Sequence, residues 1–428
     1  MKIQHFGEAS LARHFLKEDF YKLPDLSIDE YRHSILQDAA DFADRLLVQK
    51  TDLITFSWKG KDYYSVPKLS HKLVFRACAA HLRSALNVRG KSRSQIAREI
   101  KSFAAEGTPY KVHKFDIKSF FEGIQIEQLE NKIEDVRGLS RHTKKLLCRG
   151  MHYFHVEKGC CVPRGIETSG ILSDLYLREF DEIIRRDEGV FFYSRFVDDI
   201  LIFTDKGLDS DAFKKRIGER LPEGLGLNDK KYDSKTVPER KKAGDLYIGK
   251  ELAIFNYLGF EFRVIDTPLP IKKVNGQLVE DGGRAKYQFR EVRVDLSGNK
   301  VKRTKEKICK SFYSYYKNKN YELLKDRLRF LTSNREMVKK DDSVIIPIGV
   351  YYNSSACDYP STKLSHLDSF MRYLLSGSND RLPKLYSGLF SRQERSELLK
   401  FSFSYGFRHR VHRRFSYNRM AEIVKVWK

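Results

Sequence analysis

The stretch YSRFVDDILIFT, Tyr193 to Thr204, sets two adjacent acids between two apolar, β-branched runs. FFYSRFV and ILIFT have the composition of strands, and Asp-Asp is an acceptable turn dipeptide, so a hairpin is the plainest reading. Asn-Gly or Asp-Gly would serve a two-residue turn better, and no glycine stands here. Two like charges side by side repel unless a cation sits between them. The pair therefore raises the question of a third carboxylate and of a metal.

The third carboxylate is Asp116, in KVHKFDIKSFFEGI, 82 residues before Asp198. It ends an apolar-alternating strand, where a side chain projects from the sheet toward a cleft. Alone, a strand-end Asp is more often a helix cap or turn former. With Asp198 and Asp199 it makes a sharper pattern. Three carboxylates on a strand end and a hairpin turn suit two divalent ions roughly 3.5–4 Å apart, the arrangement that drives in-line phosphoryl transfer. Asp oxygens are the hard ligands that Mg²⁺ requires.

Charge points to the same kind of substrate. Lys and Arg number 80 against 57 Asp and Glu, a formal net charge of +23 over 428 residues. Such an excess favours a polyanion, nucleic acid or an anionic surface. From Asp266 to Lys428 there are 34 basic and 17 acidic residues, a net of +17. The six cysteines (Cys78, Cys148, Cys160, Cys161, Cys309 and Cys357) form no CxxC pair. They read as reduced thiols of an intracellular protein. MKIQHFGEAS has no apolar signal core, and no run approaches the ~18 residues of a membrane span. The expectation is a cytoplasmic protein without a membrane partner.

The length calls for two or three domains. SIDEYRHSILQDAADFADRLLVQ begins with Ser27 and Glu30 in capping-box spacing and continues at helical period. LITFSWKGKDYYSV reads as a hairpin turning at Gly60. HKLVFRACAAHLRSAL and RSQIAREIKSFAAE read as basic amphipathic helices. YKVHKFDI is a strand, with helical segments after it to about His155. IETSGILSDLYLREFDEIIRR reads as one helix, SDAFKKRIGERL as another, and AIFNYLGFEFRVI as a strand pair. Beyond Asp266 the pattern becomes basic and mostly helical. The fold class expected is α+β, with an antiparallel sheet.

The motifs, in order, are KFDIKSFF, VPRGIETSGILSDLYL, RFVDD, LGLNDKK and FNYLGFEF, within Lys111–Val264. This series resembles the reverse transcriptases, whose palm carries FD…F, PQG…S, [FY]xDD, LNxxK and xLG[FY]. The resemblance implies a right-hand polymerase: N-terminal helices and fingers over 1–110, a palm over 111–265, and a basic helical thumb and RNA-binding region over 266–428. Within the class, DIKSFFEGI and LLKDRLRFLTSN…GVYYN look like bacterial defence-associated enzymes of the abortive-infection or "unknown" groups. A retron-type enzyme is the alternative within the family.

Carried over residue by residue, the resemblance implies that Asp116, Asp198 and Asp199 bind two Mg²⁺ ions and that Lys231 protonates the leaving pyrophosphate. A solvated lysine is the competing reading. Phe121 falls at the steric gate against a ribose 2′-hydroxyl; core packing is the alternative, and it is preferred for Phe120. Gly165 and Ser169 match the segment under template and nucleotide. Arg164 replaces the usual Gln there, and Gly170 the usual Pro. Lys72 and Arg76 are candidate triphosphate cations. Tyr257, Leu258, Gly259 and Phe260 match the primer grip, though the glycine also suits an ordinary tight turn.

In KVKRTKEKICKSFYSYYKNK, Lys302, Arg303 and Lys307 accompany an apolar spine of Ile308, Phe312 and Tyr315, as suits a helix tracking a duplex backbone. In the tail, Arg408, Arg410, Arg413 and Arg414 alternate with aromatics, the chemistry of single-stranded RNA recognition; the alternative puts the aromatics in the core and only the arginines outside. The alternation in FSFSYGF is strand-like. The expected partners are a structured non-coding RNA template, a DNA product and deoxynucleotides, with a homo-oligomer or a second reverse transcriptase compatible. Two other readings are an RNA-binding scaffold with an inactive palm, disfavoured by the retained acids, and an RNA-templated RNA polymerase, disfavoured by Phe121.

Overall fold

A computed structural model describes residues 4–16, 19–20, 23–45, 53–58, 60–88, 90–238, 250–266, 271–274, 277–280, 290–338, 345–377 and 381–427. The chain divides into two compact units. One comprises Met1–Gly90 and Lys111–Ser234, and the other Lys91–Tyr110, Lys235–Val338 and Ile345–Lys428. Residues 91–110, read from the sequence with the fingers, thus group with the C-terminal region, as do 235–265.

In the first unit the Asp-Asp stretch is a hairpin of strands Val190–Phe196 and Asp199–Asp205, with Tyr193 opposite Ile202 and Phe196 opposite Asp199. That register leaves Val197 and Asp198 as a two-residue turn. Strand Asp199–Asp205 lies between Val190–Phe196 and Tyr110–Lys118, and Gly226–Leu227 follows on the far side of the latter. A central strand is covered on both faces, which is why ILIF is a continuous apolar run: Ile200, Leu201, Ile202 and Phe203 are all buried. Phe115, Ile117, Phe213 and Ile217 join the same core, as do Leu73, Phe75 and Leu82 of helix Leu69–Ala85. The strands Ile54–Trp58 and Lys61–Ser65 form the expected hairpin, turning at Gly60 with φ +71°.

Two local expectations fail in this unit. Ser27 is no helix cap: it ends a 3₁₀ turn begun by Pro24, and its hydroxyl donates to the Pro24 carbonyl at 2.8 Å. Helix Asp29–Asp44 starts after it from Ile28, without a side-chain cap. The stretch read as one helix is two, Ser169–Tyr176 and Arg178–Arg185, meeting at Leu177.

The second unit has a three-stranded antiparallel sheet in the order Glu291–Leu296, Phe260–Ile265, Glu251–Tyr257. Helix Gly298–Asn318 begins from Ser297 and buries Ile308, Phe312 and Tyr315, the apolar spine read from the sequence, together with Val301. The region is not helical alone, since Asn334–Val338 pairs with Ile345–Gly349. FSFSYGF is corrected outright: Phe403–Arg408 is a helix. The Asp368 carboxylate accepts the N–H groups of Phe403 at 2.5 Å and Ser404 at 3.1 Å, and the Ser402 hydroxyl accepts that of Tyr405 at 3.0 Å. With those first-turn donors satisfied, helix wins over alternation, and Phe403 and Phe407, four residues apart, share a buried face. Among the described residues no helix is long and apolar enough to cross a membrane.

Candidate active site

Asp116 is where three segments meet. Its strand receives the hairpin turn through Ile117, whose N–H donates to the Asp198 carbonyl at 3.0 Å. It receives the LND segment through Asn228, whose N–H donates to the Asp116 carbonyl at 2.8 Å. The carboxylate is only 6% exposed. Asn228 Nδ2 donates to Oδ1 at 3.0 Å, and Lys231 Nζ lies 2.8 Å from Oδ1 and 2.7 Å from Oδ2. The ion pair raises the Lys231 pKa, mainly through that hydrogen bonding, so the ammonium keeps its proton at neutral pH.

The hairpin turn is held from below. Val197, β-branched, sits at φ +61°, a conformation such residues rarely adopt. Its carbonyl accepts from Arg195 Nη1 at 3.0 Å, and the same buried guanidinium makes two 2.8 Å bonds to Asp181. Tyr193 donates to Asp181 as well, at 2.6 Å. Asp199 has its pKa pushed up, first by burial and then by Asp198, with Asp116 adding to the rise; Lys114 and Lys231 oppose it. The three acids and two lysines therefore share one electrostatic neighbourhood.

These residues fit a hard divalent cation. The donor set is all carboxylate oxygen, and its mutual repulsion is what a cation relieves. Lys231 already stands on both Asp116 oxygens as a cation. Among the described residues, no group of three His, Cys, Asp or Glu is drawn together closely enough to enclose an ion as it stands.

Phe120 is buried, as read from the sequence, while Phe121 is only partly so. The Arg164 guanidinium lies 5.1 Å from the centre of the Phe121 ring and binds both Glu122 carboxylate oxygens. The Arg164 carbonyl accepts from the Tyr64 N–H at 2.7 Å, tying this loop to strand Lys61–Ser65. Gly165, at φ +96°, is required there: a Cβ would stand 2.4 Å from the Tyr64 carbonyl oxygen. Ser169 turns inward, its hydroxyl donating to the Pro163 carbonyl at 2.6 Å. Arg76 is engaged inside the protein, bound to Asp19 at 2.6 and 3.1 Å and to the His14 carbonyl at 3.0 Å. Lys72 and Arg76 both act on the largely buried Glu167, whose pKa burial raises and they lower.

In the second unit, Tyr257 pairs with Phe260 across a two-residue turn, with Leu258 at φ +50° and Gly259 at φ +85°. A Cβ on Gly259 would meet nothing nearer than Lys300 Cδ at 3.7 Å, so conformation rather than crowding selects the glycine. Lys302 and Arg303 are exposed, and Lys307 Nζ lies 5.4 Å from the centre of the Trp427 ring. Arg408 lies over Tyr359 at 5.5 Å and Arg410 over Tyr351 at 4.4 Å; Arg413 and Arg414 are exposed.

Sequence reasoning overlooked the supports. Arg195, Asp181 and Glu122 carried one available signal, a charge inside or beside an apolar run. His113 and Tyr232 carried none. His113 is fully buried between the Tyr232 and Thr204 hydroxyls, 3.0 Å from each, and so ties the strand of Asp116 to the segment of Lys231.

Residues 60–262 match the family described as reverse transcriptase (RNA-dependent DNA polymerase). Over this part the chain is similar to the reverse transcriptases. This part contains the three acids, Lys231, Phe121 and the Tyr257–Phe260 turn. Among solved structures, telomerase from Candida albicans with a fragment of telomeric RNA is 13% identical, over 92% of this chain and 62% of that one, at a TM-score of 0.34. Apo telomerase from Candida Tropicalis is 12% identical, over 88% and 60%, at 0.38. The chain spans 44–64% of the length of the telomerase structures it matches. Among curated proteins no match was found.

Proposed function

We propose that the chain is an RNA-templated DNA polymerase that extends a primer 3′-hydroxyl with deoxynucleotides. One observation carries the reading: within the part similar to the reverse transcriptases, Asp116 is pinned between the Asp198–Asp199 turn and Lys231. Asp116, Asp198 and Asp199 would hold two Mg²⁺ ions, which supply activation of the 3′-hydroxyl and neutralisation of the leaving pyrophosphate. Asn228 orients the Asp116 carboxylate by its Oδ1 bond. Lys231, kept protonated, has the proton that a departing pyrophosphate needs. Phe121, braced by Arg164, would exclude a 2′-hydroxyl. In this reading residues 111–265 act as palm, the basic C-terminal region as thumb and RNA-binding surface, and Tyr257–Phe260 as primer grip.

The template we propose is a structured non-coding RNA and the setting cytoplasmic anti-phage defence in bacteria, acting alone, as a homo-oligomer or beside a second reverse transcriptase. The motifs DIKSFFEGI and LLKDRLRFLTSN…GVYYN support that placement, and six free cysteines suit a reducing compartment. Sequencing the nucleic acid that co-purifies with the protein tests it. A cDNA complementary to a discrete RNA is expected, absent from an Asp198→Asn preparation; RNA without any DNA copy would refute polymerisation.

A further inference from the structure

The second unit contains a cavity of about 410 Å³. It falls within the roughly 300–1,000 Å³ typical of small-molecule sites. Its walls come from helix Tyr321–Thr332, from the segment 397–406 and from 411–413. Backbone bonds hold these walls together: the Asn334 N–H donates to the Val411 carbonyl at 2.7 Å, and the Arg413 N–H to the Asn334 carbonyl at 2.8 Å. Gly406 lets helix Phe403–Arg408 close on Thr332, since a Cβ there would lie 1.8 Å from the Thr332 carbonyl oxygen.

The charges lining the cavity do not balance. Lys325, Arg329, Lys400 and Arg413 face a single carboxylate, Glu397. Lys325 is taken by Glu397 at 3.0 Å, and Arg329 by Asp326 at 3.3 Å. Lys400 reaches Glu397 only at Coulombic range, and the Arg413 guanidinium has no hydrogen bond or ion pair among the described residues. Two positive charges are left over. Beside them stands Tyr405, 57% exposed, its ring 4.2 Å from that of His409.

We propose that this cavity binds a nucleotide by a terminal phosphate monoester, held between Lys400 and Arg413, with the base on the Tyr405 ring. A monoester carries about −1.5 to −2 at neutral pH and so matches both spare cations. An internal phosphodiester, with one charge, leaves one of them unmatched. The same chemistry belongs to the 5′-phosphorylated end of an RNA strand and to a free nucleoside monophosphate. The site stands whether or not the first unit polymerises, because all its parts lie in the second.

The test uses the full-length protein and one short labelled oligoribonucleotide, made with a 5′-phosphate or a 5′-hydroxyl. Binding is read by anisotropy, with adenosine monophosphate, adenosine and inorganic phosphate as competitors. The phosphorylated strand should bind about tenfold more tightly, the worth of one charge-assisted hydrogen bond. Lys400→Gln with Arg413→Gln should abolish that preference; both side chains are exposed, so folding is spared. Tyr405→Ala should weaken competition by adenosine monophosphate but not by inorganic phosphate. Competition by adenosine monophosphate without any strand preference would assign the site to free nucleotide. Neither preference nor competition, or a preference that survives in the double variant, overturns the proposal.

Discussion

Replacing Lys231 by Met removes the cation that now stands on Asp116. The carboxylate loses bonds of 2.8 and 2.7 Å and keeps the one from Asn228 at 3.0 Å. A hydrogen bond to a charged group contributes about 1.5–3 kcal/mol. Lys231 is 56% exposed, so water screens part of that, and about 1 kcal/mol is the reasonable loss. In a unit of this size that lowers the midpoint by about 2–4 °C without metal. Mg²⁺ should then act more strongly on the variant than on the wild type, because it no longer competes with an ammonium for the same oxygens. If the apparent affinity rises tenfold, the extra stabilisation at saturating Mg²⁺ is about 1.4 kcal/mol. Thermal unfolding with and without Mg²⁺ measures this, and single-turnover incorporation should meanwhile fall about 10²–10⁴-fold with loss of the proton donor. An equal Mg²⁺-dependent shift in both proteins would refute the idea that Lys231 stands in for a cation.

Asp198→Asn should abolish nucleotide incorporation, while metal-free thermal stability holds or rises as carboxylate repulsion is relieved; normal incorporation by the folded variant contradicts the site. Phe121→Val should raise the ratio of ribo- to deoxynucleotide incorporated on one template, and an unchanged ratio would make the ring a packing residue only. His81 and His113 are buried and held neutral, burial pushing each from 6.5 to about 4. Between pH 6.5 and 4 the unfolded chain takes up protons that the folded chain refuses, so stability should fall as pH falls through that window. The slope is up to about 1.4 kcal/mol per pH unit per group, flattened in the paired His81→Gln, His113→Gln variant and read by urea unfolding.

Much of the site was legible because its chemistry is local in sequence. Strand period, an acid near a strand end and an acid pair beside a hairpin turn are each visible within a dozen residues. The apolar spine of Gly298–Asn318 was legible for the same reason: one helical period fixes one buried face. What escaped depends on partners far along the chain. Phe403–Arg408 reads as alternating until Asp368, 35 residues earlier, supplies acceptors for its first turn. Ser27 is the local exception: it carries the right spacing for a capping box, yet Pro24, three residues before it, draws its hydroxyl elsewhere. Arg76 looks like a free cation near the fingers, and Asp19 takes it.

The same distance effect accounts for the missing glycine in the Asp-Asp turn. A two-residue hairpin with a positive φ at its first turn position favours Gly there, and Val197 at φ +61° costs about 1–3 kcal/mol of local strain. Nothing inside YSRFVDDILIFT compensates for it except Arg195, and Arg195 can act only because Asp181 lies beneath the hairpin. The guanidinium makes two 2.8 Å bonds to Asp181 and one of 3.0 Å to the Val197 carbonyl, so the turn is clamped from a buried ion pair rather than by its own residues. Burial alone would disfavour that charge, and Asp181 more than offsets the effect. With the conformation set from outside, the turn positions are released from turn chemistry. Val197 and Asp198 stand where Asn-Gly would fold more easily because the hairpin serves to carry the carboxylates of Asp198 and Asp199 to Asp116, and its shape is guaranteed by a partner 14 residues upstream of Arg195.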